Sequence, residues 1–306
     1  MSSAVLFDAP GPRARVRNGL LTVISIVAVA AVLYGVYSGF DAKGQWEAKI
    51  WQPFLQWETW DFYIIPGLLG TLQAAAVAAV LALLFGAVFG LARLSDHTWI
   101  RVSAGVVVEV FRAIPLLLLI FFIFYLAPAV AGGGDYTFMA VVLGLTFYNG
   151  SVLAEVVRAG VHAVPKGQSE AAYAVGMRKN QVMRLVLLPQ AVTAMMPAIV
   201  SQLVVLLKDT ALGYIIAYVD LLNTGFKILP ARFFGSLIPA AIVIGIIYVA
   251  LNMALSYLAT WLERRSRRSR KTAVKGPIAA PGAVAVSLGA GEGTEGAGMA
   301  PDRGVE

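Results

Sequence analysis

The segment "PKGQSEAAYAVGMRKNQVMRLVLLP", residues 165–189, is a polar island in a chain that is 59% hydrophobic. Pro165 favours the start of a helix, because its missing N–H group is not needed there. Gly176 favours the end of that helix, since glycine readily adopts the left-handed conformation that closes many helices. Asn180 is expected to cap a second helix that continues past Pro189. The segment therefore predicts a short helix outside the apolar part of the protein.

The composition of the whole chain predicts an all-α polytopic membrane protein. Only 13% of its 306 residues are charged, and its mean hydropathy is +0.77, whereas a soluble domain of this size is far more polar. The chain has no cysteine, which excludes disulfides, cysteine-ligated zinc and a thiol nucleophile. His97 and His162 are too few and too far apart to predict a metal site. The net charge of +7 is not read as a nucleic-acid signal, because most of the charges lie beside apolar stretches.

Six apolar stretches are long enough to cross a membrane as helices, which takes about 20 residues each. They are residues 20–40, 65–92, 106–128, 137–157, 185–207 and 236–262. Alternate loops place 18 of the 24 Lys and Arg residues on one side and four on the other. By the positive-inside rule both termini and the polar island are cytoplasmic. A cleaved signal peptide is the alternative for the first stretch, but its long apolar run favours an uncleaved anchor.

The predicted organisation follows from these stretches. It comprises a cytoplasmic segment 1–18, a first transmembrane helix 19–40, an external loop 41–64, a five-helix core 65–263 with a loop at 158–184, and a tail 264–306. The external loop contains Trp46, Trp51, Trp57 and Trp60, which are expected at the lipid headgroup level. The tail begins with "ERRSRRSRK", a positive-inside signal that also suits contact with anionic lipid, and its later residues are predicted to be disordered.

Polar side chains within the spans are candidate functional residues, because a charge at bilayer depth costs on the order of 3 kcal/mol. Glu109 and Arg112 are three residues apart, so one helical face can hold them as an ion pair. Gly70, Gly86 and Gly90 are expected to permit close helix packing. The candidate lining of a substrate path consists of Asn149, Glu155, Ser201, Gln202, Lys208, Asp209 and Thr210. For the adjacent Lys208 and Asp209, the alternative is that the fifth span simply ends there.

The spacing within the polar island resembles the EAA loop of ABC importer permeases. Glu170-Ala171-Ala172 is followed after three residues by Gly176, and after nine more by Val186, any residue, Leu188 and Pro189. "EVFRAIPLL" at 109–117, "LPQAVTAMMPAIVSQLV" at 188–204 and "LLKDTAL" at 206–212 are similar to the polar amino acid uptake members of this family. The resemblance covers residues 66–262, and the opening "LFDAPGPR" with the extra first helix is similar to actinobacterial glutamate-uptake permeases.

This resemblance implies the type I ABC importer fold, with a five-helix core plus one extra N-terminal helix. It also implies that the EAA helix is a coupling helix that seats in a cytoplasmic ATPase subunit, Ala171 and Ala172 packing against it. The residues that it assigns to this coupling are Gly167, Glu170, Ala171, Ala172, Gly176, Leu188 and Pro189.

The implied partners are an ATP-binding subunit, a second homologous permease that forms a heterodimer, an external substrate-binding protein, membrane lipid and a polar amino acid such as glutamate. The implied location is the bacterial plasma membrane. The chain has no GxxxxGK[ST] motif, so ATP and Mg²⁺ are expected on the partner ATPase and no cofactor on this chain.

Two other classes of protein compete with this interpretation. A proton-coupled secondary transporter would use Asp209 or Glu155 as a proton relay, but no internal duplication supports it. An intramembrane enzyme is disfavoured, because the chain contains no HExxH or GxSxG motif and no cysteine nucleophile.

Overall fold

The structure, a computed structural model, describes residues 11–233 and 235–271, and all regular structure within them is helical. The chain divides into a unit that ends at Arg267 and a second unit, Arg268–Glu306, of which only the residues up to Lys271 are described. The first ten residues and the predicted disordered tail beyond Lys271 lie outside the described residues. The longest helices are α1 (Pro12–Asp41), α2 (Ile65–Ala92), α3 (Thr98–Ala113), α4 (Leu116–Ala131), α5 (Thr137–His162), α6 (Lys166–Ala174), α7 (Leu188–Asp209) and α8 (Leu237–Lys271).

Within the described residues, five helical stretches are long and apolar enough to cross a membrane, and a sixth is added if α3 and α4 count as one bent span. The five are Pro12–Asp41, Trp57–Ala92, Thr137–His162, Lys179–Ile216 and Leu237–Leu258. The first and last helices are longer than predicted, since α1 already begins at Pro12 and α8 continues to Lys271. Arg and Lys are good helix formers, so a basic segment ends an apolar span without ending the helix.

The predicted third span, residues 106–128, is wrong as a single helix. α3 ends at Ala113, and α4 begins at Leu116 at an angle of 98°. Between them Ile114 is extended, with φ −82° and ψ 125°. The break has a steric cause, because the ring of Pro115 disfavours the helical conformation at the residue before it.

The core is built around α5, which has most of its residues buried between α2, α4 and α7. α2 approaches it closely at two glycines, as predicted. A Cβ atom on Gly86 would lie 2.6 Å from the Cβ of Leu153, and one on Gly90 would lie 2.7 Å from the Cβ of Val157. Any side chain at either glycine would therefore push the two helices apart.

Residues 210–236 form a hairpin between α7 and α8 that packs into the first turns of α2; we call it the 210–236 hairpin. The hydroxyl of Tyr218 donates to the Gly70 carbonyl at 2.8 Å, and the N–H of Leu221 donates to the Thr71 hydroxyl at 3.0 Å. Gly70 serves this contact rather than helix packing, because a Cβ atom there would lie 2.1 Å from the Val219 carbonyl oxygen. The hairpin is thus held to α2 by buried hydrogen bonds.

Three π-helical turns interrupt the helices, and each ends two residues before a proline. They are Trp60–Ile64 before Pro66, Val182–Leu187 before Pro189, and Thr224–Ile228 before Pro230. A proline lacks the N–H group and its ring crowds the carbonyl four residues earlier. A wider turn at that point relieves the crowding while the helix continues.

α1 has no buried residue, which is consistent with a helix that faces lipid along its whole length. Its end is joined to the following segment by stacked aromatic rings. The ring of Trp46 lies 5.6 Å from that of Tyr37 and 6.2 Å from that of Trp51, and its indole N–H donates to the Tyr37 carbonyl at 3.2 Å. The Trp-rich loop is therefore folded onto the end of α1.

Candidate functional site

The helix predicted within the polar island is α6, and it ends where the sequence indicated. Pro165 immediately precedes it, and Gly176 follows it with φ +81°. The N–H of Gly176 donates to the Tyr173 carbonyl at 2.9 Å, and the N–H of Met177 donates to the Ala172 carbonyl at 3.2 Å. These two bonds are the Schellman closure of a helix. A Cβ atom at Gly176 would meet nothing within 4 Å, so glycine is needed there for its backbone conformation.

The second helix of the island begins earlier than predicted. Asn180 is not its cap; it lies in the first turn, and the cap is Arg178, whose N–H donates to the Gln181 side chain at 2.8 Å. Gln181 can reach back in this way because it stands three residues after the cap. Lys179 also pairs with Asp96 in the turn between α2 and α3, and this hydrogen bond lowers the pKa of the Asp96 carboxyl group.

The exposed residues of α6 and its surroundings differ in part from the predicted coupling set. Gly167, Glu170, Ala171, Gly176 and Pro189 are exposed, and Leu188 is partly buried. Ala172 is only 7% exposed, because it packs on its own chain, so it is not available to a partner here.

Two apolar side chains that sequence reasoning missed complete this surface. Tyr173 is 49% exposed and Val175 is 78% exposed. The sequence contained a signal for both residues, because large apolar side chains in a polar helix are expected to be exposed, and exposed apolar groups beside polar ones mark interaction sites.

Three of the predicted path residues meet between α5 and α7. Asn149 is fully buried, and the Gln202 side chain donates to its amide oxygen at 2.6 Å. The Asp209 carboxylate also lies close enough to the Asn149 side chain to interact with it. Residues 202 and 209 lie two helical turns apart on α7, so one polar face of α7 carries both.

Lys208 lies on a different side of α7. It lines a groove toward α8, together with Tyr248, Asn252 and Ser256. These three side chains recur every four residues and form a polar stripe on α8 that sequence reasoning missed. No acidic group pairs with Lys208 among the side chains that the structure describes.

Thr210 and Ser201, two further residues of the predicted path, differ in their exposure to solvent. Thr210 is fully buried, donates to the Leu207 carbonyl at 2.7 Å and lies 3.4 Å from the Tyr248 hydroxyl oxygen. Ser201 is exposed. The structure therefore does not bring either of them to the Asn149 side chain.

Glu155 does not join the candidate path. Its carboxylate lies 3.0 Å from Arg93 Nη1 and 2.5 Å from Arg158 Nη2. It stands six residues after Asn149 on α5, about 9 Å further toward α6 by helical rise, which removes it from the Gln202 side chain. Its partners make it part of an ion network instead.

The predicted pair of Glu109 and Arg112 belongs to the same network. Arg112 Nη1 lies 3.8 Å from Glu109 Oε1, and Arg93 Nη2 lies closer, at 3.3 Å. Within the described residues, no group of three His, Cys, Asp or Glu side chains is arranged to hold a metal ion.

The comparisons with known proteins agree with this architecture. The family model described as the inner membrane component of binding-protein-dependent transport systems matches residues 78–268. A glutamate transport system permease of Corynebacterium glutamicum is 44% identical over 238 residues, which is 76% of this chain and 86% of that protein. A probable glutamine ABC transporter permease of Bacillus subtilis is 35% identical, over 67% of this chain and 92% of that protein.

Solved structures show the same fold. An amino acid ABC transporter with histidines matches with a TM-score of 0.59 and 32% identity, over 66% of this chain and 93% of that chain. The inward-facing MetNI methionine transporter matches with a TM-score of 0.58 at 20% identity, over 69% and 99%, and that likeness shows the fold alone. The chain therefore belongs to the family of inner membrane components of binding-protein-dependent transport systems, as a multi-pass permease subunit related to those of amino acid ABC importers.

Proposed function

We propose that this chain is one of two permease subunits in an ATP-driven importer of acidic amino acids, with glutamate as the main substrate. The observation that carries the proposal is α6, a helix outside the core with Glu170, Ala171, Tyr173 and Val175 exposed at one tip. An exposed surface that combines polar and apolar side chains in this way suits docking to another subunit. The name of the glutamate permease among its relatives supports the substrate class, and that of the glutamine permease supports amino acid import more generally.

The proposed assembly has four kinds of subunit. A cytoplasmic ATPase binds α6 and supplies ATP and Mg²⁺, a second, homologous permease completes the path, and an external binding protein delivers the substrate. The distribution of Lys and Arg supports placing both termini and α6 in the cytoplasm. ATP binding drives transport only if it favours one conformation of the membrane subunits over the other.

The proposed path runs along the polar face of α7. Asp209 would face the ammonium group of the substrate, and the amides of Asn149 and Gln202 would bind its polar groups without adding charge. Lys208 would face a carboxylate from its groove, since a lysine without an acidic partner attracts an anion. Ser201 and Thr210 flank these residues on α7.

The test is uptake of labelled glutamate into vesicles that contain this chain, the second permease, the binding protein and the ATPase. We expect uptake that requires ATP and is reduced by unlabelled acidic amino acids more than by glutamine or arginine. Uptake by the permease without any ATPase would instead support the proton-coupled alternative. A competition order led by arginine would contradict the proposed substrate.

Asp209→Asn probes the path itself. We expect uptake to fall about tenfold or more, because the charge that faces the ammonium group is lost. ATPase association, measured by co-purification, should not change. Asp135→Asn, at an exposed carboxylate before α5, is the matched control and should transport normally.

A further inference from the structure

Five charged side chains form a network across three helices near the α6 end of the core. Arg93 follows α2; Glu109 and Arg112 lie on α3; Glu155 and Arg158 lie on α5. Arg93 is the most enclosed of them, with its side chain 15% exposed. One of its guanidinium nitrogens lies 3.3 Å from Glu109, and the other lies 3.0 Å from Glu155.

The remaining contacts of the network stay within single helices. Glu109 and Arg112 are three residues apart on α3, and Glu155 and Arg158 are three residues apart on α5. Without Arg93 the network would separate into these two intrahelical pairs. The planar guanidinium group is suited to hold two carboxylates at once, which a single ammonium group is not.

The α5 side of the network lies close to α6 along the chain. α5 ends at His162, and α6 begins at Lys166, so only three residues separate the helices. One of them, Val164, is buried in an apolar cluster with Val161 and Met195. The turn therefore has little freedom to bend, and a displacement of α6 is passed to the end of α5.

We propose that Arg93 is a positioning residue that joins the end of α5 to α2 and α3, so that movement of α6 is transmitted to the helices of the core. The proposal rests on the ATPase-coupling role of α6. Packed cores change between discrete arrangements, and an ion network that spans three helices makes them move together. Loss of Arg93 leaves α6 intact for docking, so ATP hydrolysis continues while less of it produces transport.

The experiment measures the number of ATP molecules hydrolysed per amino acid imported by the complete reconstituted transporter. Arg93→Gln is expected to raise this number at least fivefold, with normal co-purification of the ATPase. Arg101→Gln is the matched control, because Arg101 contacts the Ser95 carbonyl and the Thr98 hydroxyl but no acidic group that the structure describes. Its ratio should equal that of the wild type.

A double variant distinguishes a specific link from general damage. If Arg93 acts through Glu155, the combination of Arg93→Gln with Glu155→Gln should raise the ratio no more than Glu155→Gln alone does. An unchanged ratio in Arg93→Gln, or multiplied effects in the double variant, would overturn the proposal. If the Arg93→Gln variant does not assemble, Arg93→Lys replaces it, because lysine keeps the positive charge but lacks the planar guanidinium group. An unchanged ratio of ATP hydrolysed to amino acid imported in Arg93→Lys would overturn the proposal equally. A wild-type complex without ATP-dependent uptake would instead refute the proposed function.

Discussion

Two connecting segments at opposite ends of α7 have similar lengths but pack differently on their own chain. The segment between α5 and α7, residues 163–187, carries the EAA motif and contains 25 residues, and the 210–236 hairpin contains 27. The side of the hairpin that faces α2 is buried, with Asp220, Leu221 and Leu229 fully enclosed, while Val219 and Phe226 on its other side are exposed. The EAA loop leaves Glu170 and Val175 exposed.

The difference lies in how closely each segment packs against the rest of its own chain. The hairpin fits against α2 because Gly67 and Gly70 leave room for its backbone and for Thr224. Gly167 and Gly176 have nothing within 4 Å of where a Cβ atom would stand. A connection that packs on its own chain becomes a fixed part of the core, whereas an exposed one of similar length is available to another subunit.

The largest expected effect comes from filling the space that the hairpin occupies. Gly70→Ala should destabilise the protein by about 4 kcal/mol or more, because its methyl group would overlap the Val219 carbonyl. Yield and thermal unfolding in detergent measure this. Gly167→Ala, in the open first turn of α6, should change unfolding by less than about 1 kcal/mol. Equal effects of the two substitutions would remove the contrast between the segments.

A second prediction concerns Asp220, the buried cap of the helical turn at Leu221. One of its carboxylate oxygens accepts from the N–H of Asn223 at 2.6 Å, and the other has no hydrogen-bond partner. Burial raises its pKa to about 6 from 3.8. The folded protein then holds a proton that the unfolded chain releases, so this carboxyl group lowers stability as the pH rises from about 4 to about 6.

The loss of unfolding free energy caused by the Asp220 carboxyl group should approach about 3 kcal/mol and then remain constant at higher pH. Asp220→Asn keeps the capping oxygen without the charge, so its thermal midpoint should lose this part of the pH dependence. Asp135→Asn, on an exposed carboxylate, serves as the control. A midpoint difference between wild type and Asp220→Asn that does not vary with pH would contradict the prediction.

A substitution in the EAA loop should have the smallest effect on folding but a large effect on assembly with the ATPase. Glu170→Lys reverses an exposed charge, so thermal unfolding should be unchanged within about 0.5 kcal/mol. ATP-dependent uptake and ATPase co-purification should each fall about tenfold, since reversing a charge at the proposed contact surface disrupts its electrostatic complementarity with the partner. Normal transport by this variant would show that α6 is not the docking helix.

The sequence was most informative where a local signal was sufficient. Pro165 and Gly176 define the ends of α6 without help from the rest of the chain, and apolar length located the spans. Pro115 carried an equally local signal for the break between α3 and α4, which the apolar run around it obscured. The prolines that follow the three π turns are a further local signal of this kind.

Features that depend on distant residues were not predictable in this way. Asp220 and Thr71 are brought together only when the hairpin packs on α2. Glu155 was assigned to the path because a polar residue in a span suggests function, but helical periodicity does not identify what a side chain faces. Its partner Arg93 lies more than 60 residues earlier, and only the fold brings the two together.

The π turn at Val182–Leu187 has a rotational consequence. Such a turn holds one residue more than a regular helix needs, and each residue of an α-helix corresponds to about 100° of rotation. Because the wider turn accommodates this extra residue, it avoids that rotation and keeps the side of α7 that meets Asn149 in register with the chain that leads to α6. A deletion of one residue within this turn would restore a regular helix and leave the direction of α6 almost unchanged, whereas a deletion in the regular part of α7 would turn α6 by about 100°.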